Sequence, residues 1–242
     1  MQSLGKYLLF LYTMLGNRVP LRTYVQQTIE ECTKMGTSSV GIVTIVSVFV
    51  GAVTTIQLSY NIDATLTQNF LIGYGVRNMV ILELAPTMTA LVFAGKVASN
   101  IAGQLGAMRI SEQIDALEMM GINASNYLAL PKIMASVLVY PLLVIVAIFL
   151  AIYSGYWAVV NILPVAPADY IRGLQFMFDP YIIRFCLYKS LTFAFLIASI
   201  ACYKGFYALG GAVEVGKAST QAVTHSCTAV LVADYVLTQL LL

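Results

Sequence analysis

The sequence predicts an all-α integral membrane protein: an N-terminal interfacial helix, five transmembrane helices, and a cytoplasmic coupling helix between spans two and three, in one domain over residues 1–242. Three observations predict it. Sixty per cent of the residues are hydrophobic, only 10% are charged and mean hydropathy is +0.84, whereas about a quarter of a soluble domain is charged. Apolar runs long enough to cross ~30 Å of hydrocarbon recur along the chain. Between two of them lies a charged, helix-sized interruption, residues 106–132 (GAMRISEQIDALEMMGINASNYLALPK), which has to lie outside the bilayer. No sizeable soluble domain fits in what remains, and a net charge of +2 gives no basis for nucleic-acid binding.

Residues 1–36 are assigned to interfacial and elbow helices. The apolar stretch 4–15 is too short to span, and Asn17, Arg18 and Arg22 follow it instead of a small-residue cleavage site, so it reads as a retained surface helix. The first span, 37–58, is free of charge, whereas the second, 79–102, contains Glu83, Pro86 and Lys96. The third, 133–163, includes Tyr153, Tyr156 and Trp157, residues suited to a headgroup boundary. Spans at 185–203 and 219–242 complete the set. With the N-terminus cytoplasmic, nine Lys and Arg fall on that side and four (Arg77, Arg172, Arg184, Lys189) on the other, which puts the interruption in the cytoplasm and the C-terminus outside. Cys32, Cys186, Cys202 and Cys227 lack CxxC spacing and read as small apolar residues.

Within the interruption, Ser111 is the expected N-cap and Gly121 the expected stop of a helix over 110–121. Ile110, Ile114, Leu117 and Gly121 share one side; Glu112, Asp115 and Glu118 form an acidic row on the other. An acidic face suits an anionic leaflet poorly, so a protein partner explains it better than a resting place on lipid. Pro131 is placed to start the third span.

Ionisable residues inside spans usually meet a partner or a wet cavity. Glu83, Lys189 and Asp234 fall in one outer layer of the bundle, with Lys189 expected between the two carboxylates, either in a lipid pocket where it could also meet a phosphate or as an ion pair setting helix register. Ala90, Ala94, Ala98, Ala102 and Gly106 form a small-residue stripe for subunit-internal packing or a dimer contact. His225 reads as an interior histidine, and 169–178 as an external amphipathic helix with Ile171, Leu174 and Phe178 on one side. The stretch 211–218 (GAVEVGKA) approaches a phosphate-binding loop, but a span precedes it where a strand is required, so it reads as a turn.

The run ELAPTMTALVFAGKVASNIAGQLGAMRISEQIDALEMMGI (83–122), together with FVGAVTTIQL (49–58) and GGAVEVGKASTQAVTHSCTAVLVADYVLTQLL (210–241), resembles the MlaE/YrbE-type permeases, membrane subunits of ABC transporters that move lipid with MCE-domain proteins. Departures from the family pattern are Leu82 and Lys96, where Arg is frequent, and Gly103, Gln104 and Leu105, where Ala-Glu-Leu is frequent. The resemblance implies a homodimer in the bacterial inner membrane, a cytoplasmic ATPase, a periplasmic MCE-domain partner and a phospholipid or related substrate. No catalytic residue, metal or cofactor belongs to this chain on that reading; ATP and Mg act in the ATPase. The ATPase would dock on Arg109, Glu112, Gln113, Asp115, Leu117 and Glu118. The substrate pocket would be lined by some of Phe49, Val50, Val53, Leu84, Met88 and Leu91, beside Glu83, Lys189 and Asp234. The alternatives are an ion-coupled secondary transporter with those three charges as its relay, and a non-transporting anchor that recruits a soluble protein through the same helix.

Overall fold

The structure is a computed structural model that describes residues 2–14, 16, 21–61 and 69–241, and those residues contain no strand. The helices are α1 Gln2–Met14, α2 Leu21–Asn61, α3 Phe70–Ile110, α4 Gln113–Met119, α5 Ser125–Asn161, α6 Pro167–Gln175, α7 Tyr181–Phe206 and α8 Ala212–Leu241. Among the described residues, four helices (over Arg22–Asn61, Phe70–Ile110, Ser125–Asn161 and Tyr181–Phe206) are long and apolar enough to cross a membrane. α8 is 30 residues long but carries Glu214, Lys217, His225 and Asp234, and composition alone does not place it with those four. Leu15, Asn17, Arg18 and Leu242, which enter the expected helix ends and charge count, lie outside the described residues.

The helices outrun the apolar stretches that announce them. At 1.5 Å per residue the 41 residues of α2 extend about 60 Å, roughly twice the hydrocarbon thickness. The division expected at residue 36 is therefore absent. Gly36 lies inside the continuous helix, facing Val139, because residues 21–35 contain neither Gly nor Pro to interrupt the hydrogen-bond ladder. α5 likewise begins at Ser125, with a π turn at Ser125–Ala129, and Pro131 stands in the first turn of its α-helical part, Leu130–Asn161, as expected.

α3 is the hub of the bundle. It touches α2, α5, α7 and α8, with α2 packed on α5 to one side and α7 on α8 to the other. The small-residue stripe makes that position possible: Ala90, Ala94, Ala98, Ala102 and Gly106 are all buried. A Cβ on Gly205 of α7 would come within 2.8 Å of the Ala102 backbone, and one on Gly106 within 3.0 Å of Val215 in α8. The stripe thus packs within the subunit and is not a dimer surface. On the other side, a Cβ on Gly51 would lie 2.1 Å from the Ala151 carbonyl oxygen, which marks a close approach of α2 and α5.

α1 lies against α7. Its Tyr7 hydroxyl is 2.7 Å from Ser199 Oγ, Phe10 is buried beside Tyr203, Phe206 and Tyr207, and Leu8, Leu9 and Tyr12 face outward. At the opposite end α6 packs on the start of α3 so closely that a Cβ on Gly173 would lie 1.9 Å from Phe70 O. This contact sets the rotation of α6. Tyr170 and Gly173 are buried and Leu174 is partly buried, but Ile171 and Phe178 are exposed, so the expected apolar side is corrected by about one position. Burial pushes the Tyr170 phenol up to about 12, against a hydrogen bond with Thr55. Arg77, 2% exposed, donates to Leu174 O (2.9 Å) and Phe176 O (2.8 Å) and so caps the C-terminal carbonyls of α6.

Candidate functional site

Glu83, Lys189 and Asp234 do meet, and a proline is part of the reason. Pro86 has no N–H to offer Leu82 O four residues back, and its ring crowds that carbonyl. The preceding turn widens into a π turn at Val80–Leu84, in which the Ala85 N–H bonds Val80 O. Lys189 of α7 takes up the released carbonyl: its Nζ donates to Leu82 O at 3.2 Å and to Glu83 Oε2 at 2.8 Å. It also lies 2.6 Å from Asp234 Oδ1 of α8, a charge contact without hydrogen-bond alignment, and 5.0 Å from the centre of the Phe185 ring.

The three groups are unequally buried. Lys189 has no exposed surface, the Asp234 side chain is 12% exposed and that of Glu83 is 48% exposed. With one cation between two carboxylates the ionised cluster carries a net negative charge, and Glu83 is the member that meets the surroundings. The phosphate contact expected of Lys189 is not available here, because the acceptors around its ammonium all belong to α3 and α8. A buried ammonium is held by whatever offsets its desolvation, and two carboxylates with a carbonyl do so.

An apolar crevice runs between α2, α3 and α5, lined in part by Val50, Leu84 and Met88 and not by Glu83. Its open volume is about 10 Å³, room for little more than one water. Phe49 (67% exposed) and Val53 (47%) point away from it on the outer side of α2, and Leu91 is not part of its lining. Of the six residues expected around a pocket, three therefore line this closed crevice, Phe49 and Val53 lie on the outer surface, and half-buried Leu91 does neither.

The interruption forms α4, but its start differs from expectation. Ser111 bonds its Oγ back to Ala107 O in α3, so the N-cap is Glu112, held in the left-handed region at φ 58°. Gly121, at φ 75°, ends the helix as expected and donates to Glu118 O. Ile114 is fully buried and Leu117 partly so, whereas Ile110 is exposed. Asp115 accepts from Arg109 at 2.6 Å, which ties α4 to the end of α3; Glu112, Gln113 and Glu118 are exposed. Met119 and Met120, which the helical pattern does not single out, are 90% and 66% exposed. Leu209 and Val213, between α7 and the start of α8, are also exposed at this end. Burial, with Tyr203 and Glu118 alongside, pushes the Tyr207 phenol above its ordinary value while Arg109 opposes the shift.

Two further expectations change. His225 is exposed, not interior, with Nδ1 2.7 Å from Gln221 O on its own helix. Residues 212–218 are the first turns of α8, and Lys217 pairs with Glu214 at 2.6 Å, so the run that resembled a phosphate loop is helix and not a turn.

The family model described as Permease MlaE matches residues 28–240. The chain is similar to a probable ABC transporter permease protein of Rickettsia bellii, 30% identical over 239 residues that cover 99% of this chain and 92% of the relative. A probable ABC transporter permease protein of Synechocystis sp. is 33% identical over 219 residues, covering 89% of this chain and 82% of that protein. Protein TRIGALACTOSYLDIACYLGLYCEROL 1, chloroplastic, of Arabidopsis thaliana is 31% identical over 219 residues, covering 88% and 60% respectively. The matched region contains α3, α4 and all three members of the charge cluster, so the chain belongs to the MlaE permease family and is a multi-pass membrane permease subunit of an ABC transporter.

Proposed function

We propose that the transported substrate is a phospholipid or related lipid, moved between the bacterial inner membrane and a periplasmic MCE-domain assembly by ATP hydrolysis in a partner ATPase. One observation carries the reading: Glu83 is the half-exposed carboxylate of an otherwise enclosed triad, and it stands in the π turn of the hub helix. A π turn is a place where helices change register at functional sites. The galactolipid in the name of the Arabidopsis relative supports the substrate class.

Since the crevice within one protomer is closed, the cavity belongs between two copies. The exposed side of α8 supports a homodimer with α8 as the fifth span. Thr220, Gln221, Thr224, His225 and Thr228 lie on it, and their polar atoms largely turn back to carbonyls of the same helix. By contrast, the outer surfaces of α2 and α5 present residues such as Ile45, Phe49, Leu142 and Phe149. A polar stripe is better covered by a second subunit or a wet cavity than by lipid tails. The N-terminus is then cytoplasmic and the C-terminus periplasmic, and Met119, Met120, Glu112 and Glu118 present a mixed apolar and acidic surface to the ATPase.

The test is reconstitution with the partner ATPase in vesicles, following lipid transfer and ATP hydrolysis in Glu83→Gln, Lys189→Ala and Asp234→Asn. Lipid-stimulated hydrolysis with transfer lost in Glu83→Gln is the expected result. Normal transfer in all three variants rejects a functional triad, and ATP-independent transport favours the ion-coupled alternative.

A further inference from the structure

A second polar cleft lies at the α4 end of the bundle, away from the Glu83 site. Three helices build it, each with one face: α2 contributes Gln27, Glu30, Glu31 and Lys34, α3 contributes Gln104 and Met108, and α5 contributes Leu128 and Lys132. Its volume is about 480 Å³, the size of a small-molecule site. At its back, Lys132 is 6% exposed and donates to Glu31 Oε1 (2.7 Å) and Gln104 Oε1 (2.9 Å). At its mouth Glu30 and Lys34 are exposed. Gln27 Oε1 is buried in the lining and accepts no hydrogen bond.

The level of the cleft is legible from the apolar runs around it. Glu31 and Lys34 stand just before the uncharged run 37–58, Gln104 just after the run ending at 102, and Lys132 just before the run beginning at 133. All three helices pass from apolar to polar there, so the cleft opens at the headgroup layer of one leaflet. Its charges cancel, two lysines against two glutamates, which disfavours both a simple anion and a simple cation. Met108 and Leu128 add an apolar wall.

We propose that this cleft binds one phospholipid with a zwitterionic ammonium–phosphate headgroup, of the phosphatidylethanolamine type, as a lipid distinct from any transported one. The primary ammonium donates to Gln27 Oε1 and Glu30, the phosphate accepts from Lys34, and acyl carbons lie along Met108 and Leu128. A choline headgroup has no N–H for Gln27 or Glu30, and a glycerol headgroup leaves the carboxylates facing a net anion. The proposal requires only that the chain is a membrane protein and is independent of what it transports.

The test is native mass spectrometry of the full chain in detergent, with phosphatidylethanolamine, phosphatidylcholine and phosphatidylglycerol added at equal concentration. One phosphatidylethanolamine is expected to be retained roughly tenfold more than either of the others, the order expected for a charge-assisted hydrogen bond. The preference should vanish in Glu30→Gln/Lys34→Gln. Both residues are exposed, so the fold should survive, as far-ultraviolet circular dichroism checks; Lys34→Gln alone, expected to lower the preference several-fold, serves if the double variant does not fold. Equal retention of the three lipids, preference for phosphatidylglycerol, or unchanged preference in the folded variant overturns the proposal. Soluble glycerophosphoethanolamine should not be retained, and retention equal to that of the lipid overturns the assignment to an amphiphile.

Discussion

Taking away the Lys189 ammonium leaves Glu83 and Asp234 facing one another with Leu82 O again unpartnered. Lys189→Met is expected to destabilise the bundle by about 3–5 kcal/mol, the scale on which half of a buried ion pair is missed, read as thermal unfolding in detergent micelles. Lys189→Met/Asp234→Asn should recover part of that loss, since it removes the more enclosed carboxylate as well; no recovery would mean that the charges do not sense one another. Glu83→Gln should cost far less, because its side chain is half exposed. The residue types and their approximate layer were legible from the sequence, because charges in apolar runs stand out. That Lys189 is sealed, and that Glu83 faces outward, was not legible: it follows from how Pro86 reshapes α3, which requires the neighbouring helices to be in place.

Among the helices, glycine positions distinguish close approach from open space. Gly51→Ala, where a Cβ would lie 2.1 Å from Ala151 O, is expected to destabilise by about 1–3 kcal/mol through overpacking. Gly95→Ala, with nothing within 4 Å of its Cβ, should be neutral or stabilising, by up to ~1 kcal/mol from helix propensity. Thermal unfolding of the two variants side by side checks the pair. On α4 the prediction concerns binding. Met119→Glu/Met120→Glu adds charge at two exposed positions, so the chain should fold normally yet lose copurification of its ATPase; retained copurification would place the docking surface elsewhere. The sequence located α4 and its Gly121 stop, but it misassigned the start, because the Ser111 hydroxyl bonds back to the Ala107 carbonyl of the preceding helix and does not act as a cap.

For the proposed homodimer, the contrast between the polar outer side of α8 and the apolar sides of α2 and α5 predicts a contact along α8. A single cysteine at Thr228 should form a disulfide-linked dimer in native membranes under mild oxidation, and one at Leu142 on α5 should not. Reversal of that pattern would move the interface to α5. Because Cys186 and Cys202 are buried, they do not compete strongly for the oxidant; Cys32 and Cys227 are replaced in the parent used for the assay.

Membrane residence, helical class, family and the rough position of most long helices were determined by the sequence alone, because hydropathy over about 20 residues is a local property that bilayer thickness makes decisive. The tertiary structure decided where the helices end, which face of α6 is buried, that the alanine stripe is internal, that His225 is outside, and which lysine is sealed while which glutamate is open. Those outcomes depend on distances between chain segments far apart in sequence, such as Lys189 with Glu83 or Lys132 with Glu31, and close packing in three dimensions sets such distances, not the order of residues along one helix.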